Sequence, residues 1–128
     1  KERVVVDEDG VGGGVVDFLK CKGFVNNSKP FAENRKDVEY RNLKSQCYFH
    51  LADKINKAEI YINNQEYRDT IIQECEQIKR HDIDKDGKLS VLPKEKVKEL
   101  LGRSPDFSDA LMMRMFFELS PKGWSSAF

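Results

Sequence analysis

Between Asn42 and Ile55 apolar side chains return every fourth residue, at Leu43, Cys47, Leu51 and Ile55, with Tyr48 and Ala52 widening the stripe. That is the period of a helix with one buried face. A second stretch of the same kind runs from Glu66 to Lys79, where Tyr67, Ile71, Cys75 and Ile78 share a face. Near the start the pattern changes. RVVVD, from Arg3 to Asp7, is a β-branched run ending in acids, the signature of a buried strand. A loop containing Gly10, Gly12, Gly13 and Gly14 follows, then VVDFLKC as a short helix stopped by Gly23, then Phe24 to Asn26 as a second strand. Residues 27–38 are polar and irregular, an excursion or lid loop. Ile83, Leu89 and Val91 flank a turn and predict a β-hairpin near residues 80–91.

Pro93 to Leu101 forms a short helix ended by Gly102. Ser104 is a good N-cap, Pro105 suits a first helical position and Asp106 favours the positive helix end, so a last helix should run to about Leu119, before Pro121. The order is strand, helix, strand, helix, helix, hairpin, helix, helix. It predicts an α/β layered domain and not a pair of helix-loop-helix units.

At 128 residues the chain is about one domain long, and 39% hydrophobic content is enough for a core. Lys+Arg and Asp+Glu are both 22, so any attraction for DNA must come from local patches. Cys21, Cys47 and Cys75 form no CxxC pair, which argues against a disulfide framework or a structural zinc site and fits a reducing setting. No apolar run approaches a membrane span and no signal peptide is visible, so no membrane partner is expected. The chain opens on Lys1 and enters a strand almost at once, as a piece of a larger protein would.

HDIDKDGKLS, from His81 to Ser90, resembles the start of a calcium-binding EF-hand loop. With Asp82 at position 1, Asp84 and Asp86 fall at 3 and 5 and Gly87 at 6, but position 12, where a bidentate Glu should close the cage, is Pro93. Asp-Lys-Asp-Gly is also ordinary turn chemistry, which explains the same residues with less. GVGGGV fits neither nucleotide fingerprint: GxGxxG needs glycine where Val15 stands, and a Walker A loop needs GK[ST]. The glycines instead let the backbone pass close to something after a strand that ends at Asp7. Strand ends of this kind are where α/β sheets place their sites, so Asp7 is a candidate metal ligand.

Asp106 and Asp109 are three residues apart and share a helix face amid Phe107, Ala110, Leu111, Met112 and Met113. Asp106 is accounted for by the helix dipole; Asp109, followed by a fully apolar run, is not. If the last helix packs on the first strand, Asp7 and Asp109 converge. Converging carboxylates repel unless cations lie between them, and two Mg²⁺ or Mn²⁺ ions about 4 Å apart would make a phosphodiester-cleaving site.

VVVDEDGVGGGVVDFL, YRNLKSQCYFHLADKI and GKLSVLPKEKVKELLGRSPDFSDALMMR, in that order, resemble the nuclease domain of the large terminase subunit of tailed bacteriophages and prophages. SPDFSDAL at residues 104–111 is the most specific block, and D-x-x-G-x-G at residues 7–12 the second. The resemblance implies a ribonuclease H-like α/β fold, a mixed sheet flanked by helices. It implies an endodeoxyribonuclease that cuts concatemeric double-stranded DNA during packaging with two Mg²⁺ or Mn²⁺ ions. Its partners would be the portal protein and the small terminase subunit, in the cytoplasm of a bacterial host. Asp7 matches the second acid of the metal-binding triad and Asp109 the third, with Asp106 as alternative or accessory ligand.

The first acid belongs to a strand upstream of RVVVD. The resemblance therefore makes residues 1–128 the C-terminal part of the nuclease domain, without the packaging ATPase domain or the first nuclease strand. That part alone would be inactive or weakly active, with an unpaired sheet edge. Arg41, Lys44, Arg103 and Lys94 are candidate phosphate contacts, although Lys94 and Lys96 read first as an ordinary solvated helix face. His50 and His81 are isolated and suggest no ligand or base. Two other function classes stay open: a calcium-binding module using the acidic loop at 82–90, and a non-catalytic ribonuclease H-like docking domain.

Overall fold

A computed structural model describes residues 3–32, 38–81 and 86–121. The chain begins with a β-α-β unit. Strand β1 (Val5–Asp7) leads through helix α1 (Gly12–Leu19) to strand β2 (Lys22–Phe24), and β2 lies parallel to β1 with Val5 opposite Lys22 and Asp7 opposite Phe24. A parallel pair needs such a crossover, since a tight turn cannot reverse the chain twice. Helix α1 starts three residues earlier than its apolar run, because the glycines form its first turn. It stops at Lys20, which takes a left-handed conformation (φ 51°) before Cys21.

Helix α2 (Leu43–Asn56) follows the four-residue period closely. Its Leu43, Cys47, Tyr48 and Leu51 are buried, while Ile55 and Ala52 at its far end are exposed. Asn42 caps it, its side chain accepting from the Ser45 N–H at 2.9 Å. Gln46 is fully buried and makes reciprocal bonds with the backbone of Phe31, accepting from its N–H at 2.8 Å and donating to its carbonyl at 2.9 Å. These bonds tie the start of the predicted excursion to α2; residues 33–37 of that loop lie outside the described residues.

Helix α3 (Arg68–Gln77) differs from its predicted face. Ile71 and Cys75 are only half-buried and Tyr67 is exposed, whereas Glu74 is fully buried. The reason lies in helices α4 (Lys94–Leu101), α5 (Asp106–Arg114) and α6 (Phe116–Leu119). Helix α5 packs against α2, α3 and β1, and presents its backbone N-terminus to Glu74. The core forms where these elements meet: Phe24 of β2, Leu43, Cys47, Tyr48 and Leu51 of α2, Met112 of α5, Met115 and Phe116. Phe24 and Phe116 meet edge to face at 5.9 Å.

The sheet is smaller than the mixed sheet expected, since only β1 and β2 form a ladder among the described residues. The hairpin is present as a stem. Arg80 and Val91 form an antiparallel bridge, with the His81 N–H donating to the Ser90 carbonyl at 2.8 Å and the Leu92 N–H to that of Lys79 at 2.9 Å. Leu89 also bridges Tyr40 in parallel. Single bridges replace strands because Gly87 turns the chain at φ +76° on one side and Pro93 begins α4 on the other. The tip, 82–85, lies outside the described residues, so of the calcium-like acids only Asp86 is placed.

Candidate functional site

The glycine loop is a device for aiming Asp7. Gly12 is buried, and a Cβ on it would sit 1.5 Å from the backbone carbonyl oxygen of Asp7. Only glycine lets α1 start this close to the end of β1. The Asp7 carboxylate then accepts from the Asp9 N–H at 3.1 Å and from the Asn26 side-chain amide at 3.4 Å. Asn26 also donates from its backbone N–H (3.2 Å) and its side chain to Asp9 Oδ2. The acid that ends β1, a second acid just after it and one amide after β2 thus form a single hydrogen-bonded group at the carboxyl ends of both strands. Asp9 and Asn26 were not singled out from the sequence. Asp9 lies within the D-x-x-G-x-G block, but nothing marks Asn26 before the strands are paired.

Asp109 comes to the same region on the first turn of α5. Its side chain is 15% exposed and both oxygens are taken. Tyr48 Oη donates to Oδ1 at 2.6 Å, and Lys94 Nζ lies 3.0 Å from Oδ2. Burial first, and the neighbouring carboxylate second, push the Tyr48 phenol well above its ordinary range, so it stays a donor. Lys94 therefore belongs to the site and not to a solvated helix face. Burial pulls its ammonium down, but the hydrogen bond and charge of Asp109, with the fields of Asp7 and Asp106, outweigh that and hold its pKa above the usual lysine value.

Lys44, from the first turn of α2, stands in the field of Asp109, Lys94, Asp7 and Asp9. Desolvation dominates there and lowers its pKa. Both lysines thus stand in the fields of Asp7 and Asp109. Asp106 is the exposed first residue of α5 and adds to the field at Lys94. Arg103 is elsewhere: its guanidinium bonds Glu74, Gln73 Oε1 at 3.3 Å and the Ser104 carbonyl at 3.3 Å, and so serves the start of α5. Arg41 bonds both carboxylate oxygens of Asp86 at 3.0 and 3.1 Å.

Asp7 and Asp109 offer hard oxygen donors of the kind Mg²⁺ and Mn²⁺ take. Among the described residues, however, no group of three or more His, Cys, Asp or Glu side chains could hold a metal ion. The present residues supply part of a ligand set, with the Lys94 ammonium lying where a cation would meet Asp109.

No protein-family model and no curated protein sequence matches the chain. A solved structure does: the nuclease domain of the large terminase subunit gp2 of bacterial virus Sf6, at 26% identity and a TM-score of 0.71 over 87% of this chain. In fold, the chain is similar to a phage terminase nuclease domain. The terminase resemblance carried by residues 7–12 and 104–111 is therefore matched by shape as well. The terminase-like chain spans 63% of the length of that domain. Among the described residues no helix is long and apolar enough to cross a membrane.

Proposed function

We propose that this chain is part of a metal-dependent endonuclease that cuts double-stranded DNA during phage genome packaging. What supports the reading is that β1, which ends at Asp7, packs against α5, which carries Asp109 on its first turn, on a fold similar to a terminase nuclease domain. Asp7 and Asp109 would hold Mg²⁺ or Mn²⁺ together with a third acid from a strand preceding β1, in a ribonuclease H-like arrangement. Bound divalent ions would supply the positive charge that phosphodiester cleavage needs. The chain's own residues prepare the site. Gly12 and Asn26 aim Asp7, Tyr48 orients Asp109, and Lys94 neutralises Asp109 until a cation replaces it.

The substrate in this reading is concatemeric DNA, and the complete protein would work with a portal and a small terminase subunit in a bacterial host's cytoplasm. The test is calorimetric titration of Mn²⁺, together with nicking of supercoiled plasmid in Mn²⁺, for wild type, Asp7→Asn, Asp109→Asn and Asp86→Asn. Mn²⁺ binding lost in the first two variants and kept in Asp86→Asn is the expected result, with any weak nicking following the same pattern. Nicking that survives both Asp7→Asn and Asp109→Asn sinks the proposal. Ca²⁺ binding lost only in Asp86→Asn would point to the acidic loop instead.

A further inference from the structure

Beside the carboxylates a polar cleft of about 450 Å³ opens between the start of α2 and the hairpin stem, with Asn26, Arg41, Asn42, Lys44, Lys88 and Lys94 among its walls. Among the described residues no carboxylate lines it, in a chain whose acids and bases are equal in number. A one-signed cleft with low-dielectric walls concentrates its field on whatever enters.

Its cations are not equivalent. Arg41 is bound to Asp86, and Lys94 to Asp109. The Lys44 ammonium has no ion pair or hydrogen bond among the described residues; the Tyr48 ring lies 5.9 Å from Nζ. It is half-buried all the same. The polar groups around it are already committed. The N–H groups of Leu43, Lys44 and Ser45 bond Ser28, Asn26 and the Asn42 side chain, and the Asn42 amide donates to Asn27. His81, which also lines the cleft, has a buried Nε2 with no partner among the described residues. The fields of Asp109, Asp7 and Asp9 do not offset its desolvation, so a half-buried cation without a direct ion pair is unfavourable there until an anion arrives.

We propose that this cleft seats the DNA backbone beside the carboxylates, with Lys44 as the direct phosphate contact and Arg41 and Lys88 supplying the longer-range field. The choice of DNA as the anion rests on the nuclease reading above, but the binding can be read without any cleavage. Phosphate contacts of this kind fix register on the duplex and carry no sequence information.

The experiment is fluorescence anisotropy of a labelled 20-bp duplex in EDTA, over a KCl series, with wild type, Lys44→Gln, Lys44→Arg and, as a distant control on α4, Lys98→Gln. One lost phosphate contact lowers the slope of log K against log salt by about 1. Lys44→Gln should show that change with an affinity loss of about 5–10-fold, while Lys44→Arg keeps the wild-type slope and Lys98→Gln is unaltered. A Lys44→Gln variant with wild-type slope and affinity, or a Lys98→Gln variant that loses as much, overturns the proposal. A Lys44-dependent slope in a protein whose Mn²⁺ binding is unchanged by Asp7→Asn and Asp109→Asn keeps the cleft and removes the nuclease. Nicking with no Lys44 dependence of binding keeps the nuclease and removes the cleft.

Discussion

Glu74 of α3, fully buried, accepts the backbone N–H of Ser108 at 2.8 Å, one residue before Asp109. Helix α5 has no side-chain cap of its own, since the residue ahead of it is Pro105 and Ser104 makes no capping bond. A carboxylate from another helix takes that place, favoured by the positive helix end and by the Arg103 guanidinium on its other side. Tyr48 adds a second hold, sharing its hydroxyl with Ser108 Oγ at 3.3 Å and Asp109. The position of Asp109 is thus set from α2 and α3.

Glu74→Ala should destabilise the chain by about 2 kcal/mol, because it leaves the Ser108 N–H without its partner and Arg103 without its ion pair. Glu74→Gln retains an acceptor for Ser108 and should lose about half as much. Thermal unfolding followed by circular dichroism checks both, with an expected Tm drop of about 5–10 °C for the alanine variant. Equal losses in the two variants would show that charge, and not the cap, is what Glu74 contributes.

The glycines separate into two kinds. Gly12→Ala forces a Cβ onto the Asp7 carbonyl, backbone that cannot swing aside, and should cost about 3 kcal/mol or more. Gly14 lies in the same helix, and a Cβ there would meet nothing within 4 Å, so Gly14→Ala should stabilise by roughly 0.5–1 kcal/mol. Urea midpoints for the two variants should therefore move in opposite directions. Both moving down would mean that the glycine run is needed for more than the approach to Asp7.

Much of this arrangement was legible in the sequence. The four-residue period of Leu43, Cys47 and Leu51 and the Gly102 stop are local signals, and the chain obeys them; the β-branched run ending at Asp7 forms its strand too, but only half-buried where a buried one was expected. Asp109 stood out because a carboxylate among apolar residues needs a partner. What escaped was long-range. Glu74 was not singled out, although it lies three residues after Ile71 and four before Ile78 on the same face, and only the arrival of α5 makes it a cap. Asn26 and Tyr48 acquire their roles through elements 17 and 61 residues away in sequence. The parallel bridge between Tyr40 and Leu89 is long-range as well, and no local pattern reveals it.

Tyr48→Phe keeps the ring in the core and removes only the hydroxyl. Asp109 then loses its bond at Oδ1 and Ser108 loses one neighbour, for a destabilisation of about 1.5 kcal/mol, in the range for a hydrogen bond to a charged group. Because the carboxylate is less firmly held, Mn²⁺ affinity measured by calorimetry should fall more than the folded fraction does. An affinity that merely tracks the folded fraction would make Tyr48 a core residue with no part in orienting Asp109.

Lys44 should weaken the fold that carries it. Desolvation lowers its pKa below the ordinary lysine value, so the unfolded chain binds that proton more tightly than the folded one. For a base with a depressed folded pKa, stability is reduced at pH values below the folded pKa. It recovers as pH rises through the window up to the unfolded value of about 10.4. Lys44→Gln should accordingly be more stable than wild type at pH 7, by roughly 0.5–1 kcal/mol. The gap should narrow as pH approaches 10. Denaturant melts of both proteins at pH 7, 8.5 and 10 check the sign. A wild-type chain as stable as Lys44→Gln at pH 7 would mean that Lys44 is already compensated. A wider gap at pH 10 than at pH 7 would reverse the linkage. The expected pattern is a residue that costs stability in the cleft proposed to bind DNA, as a side chain serving a ligand would.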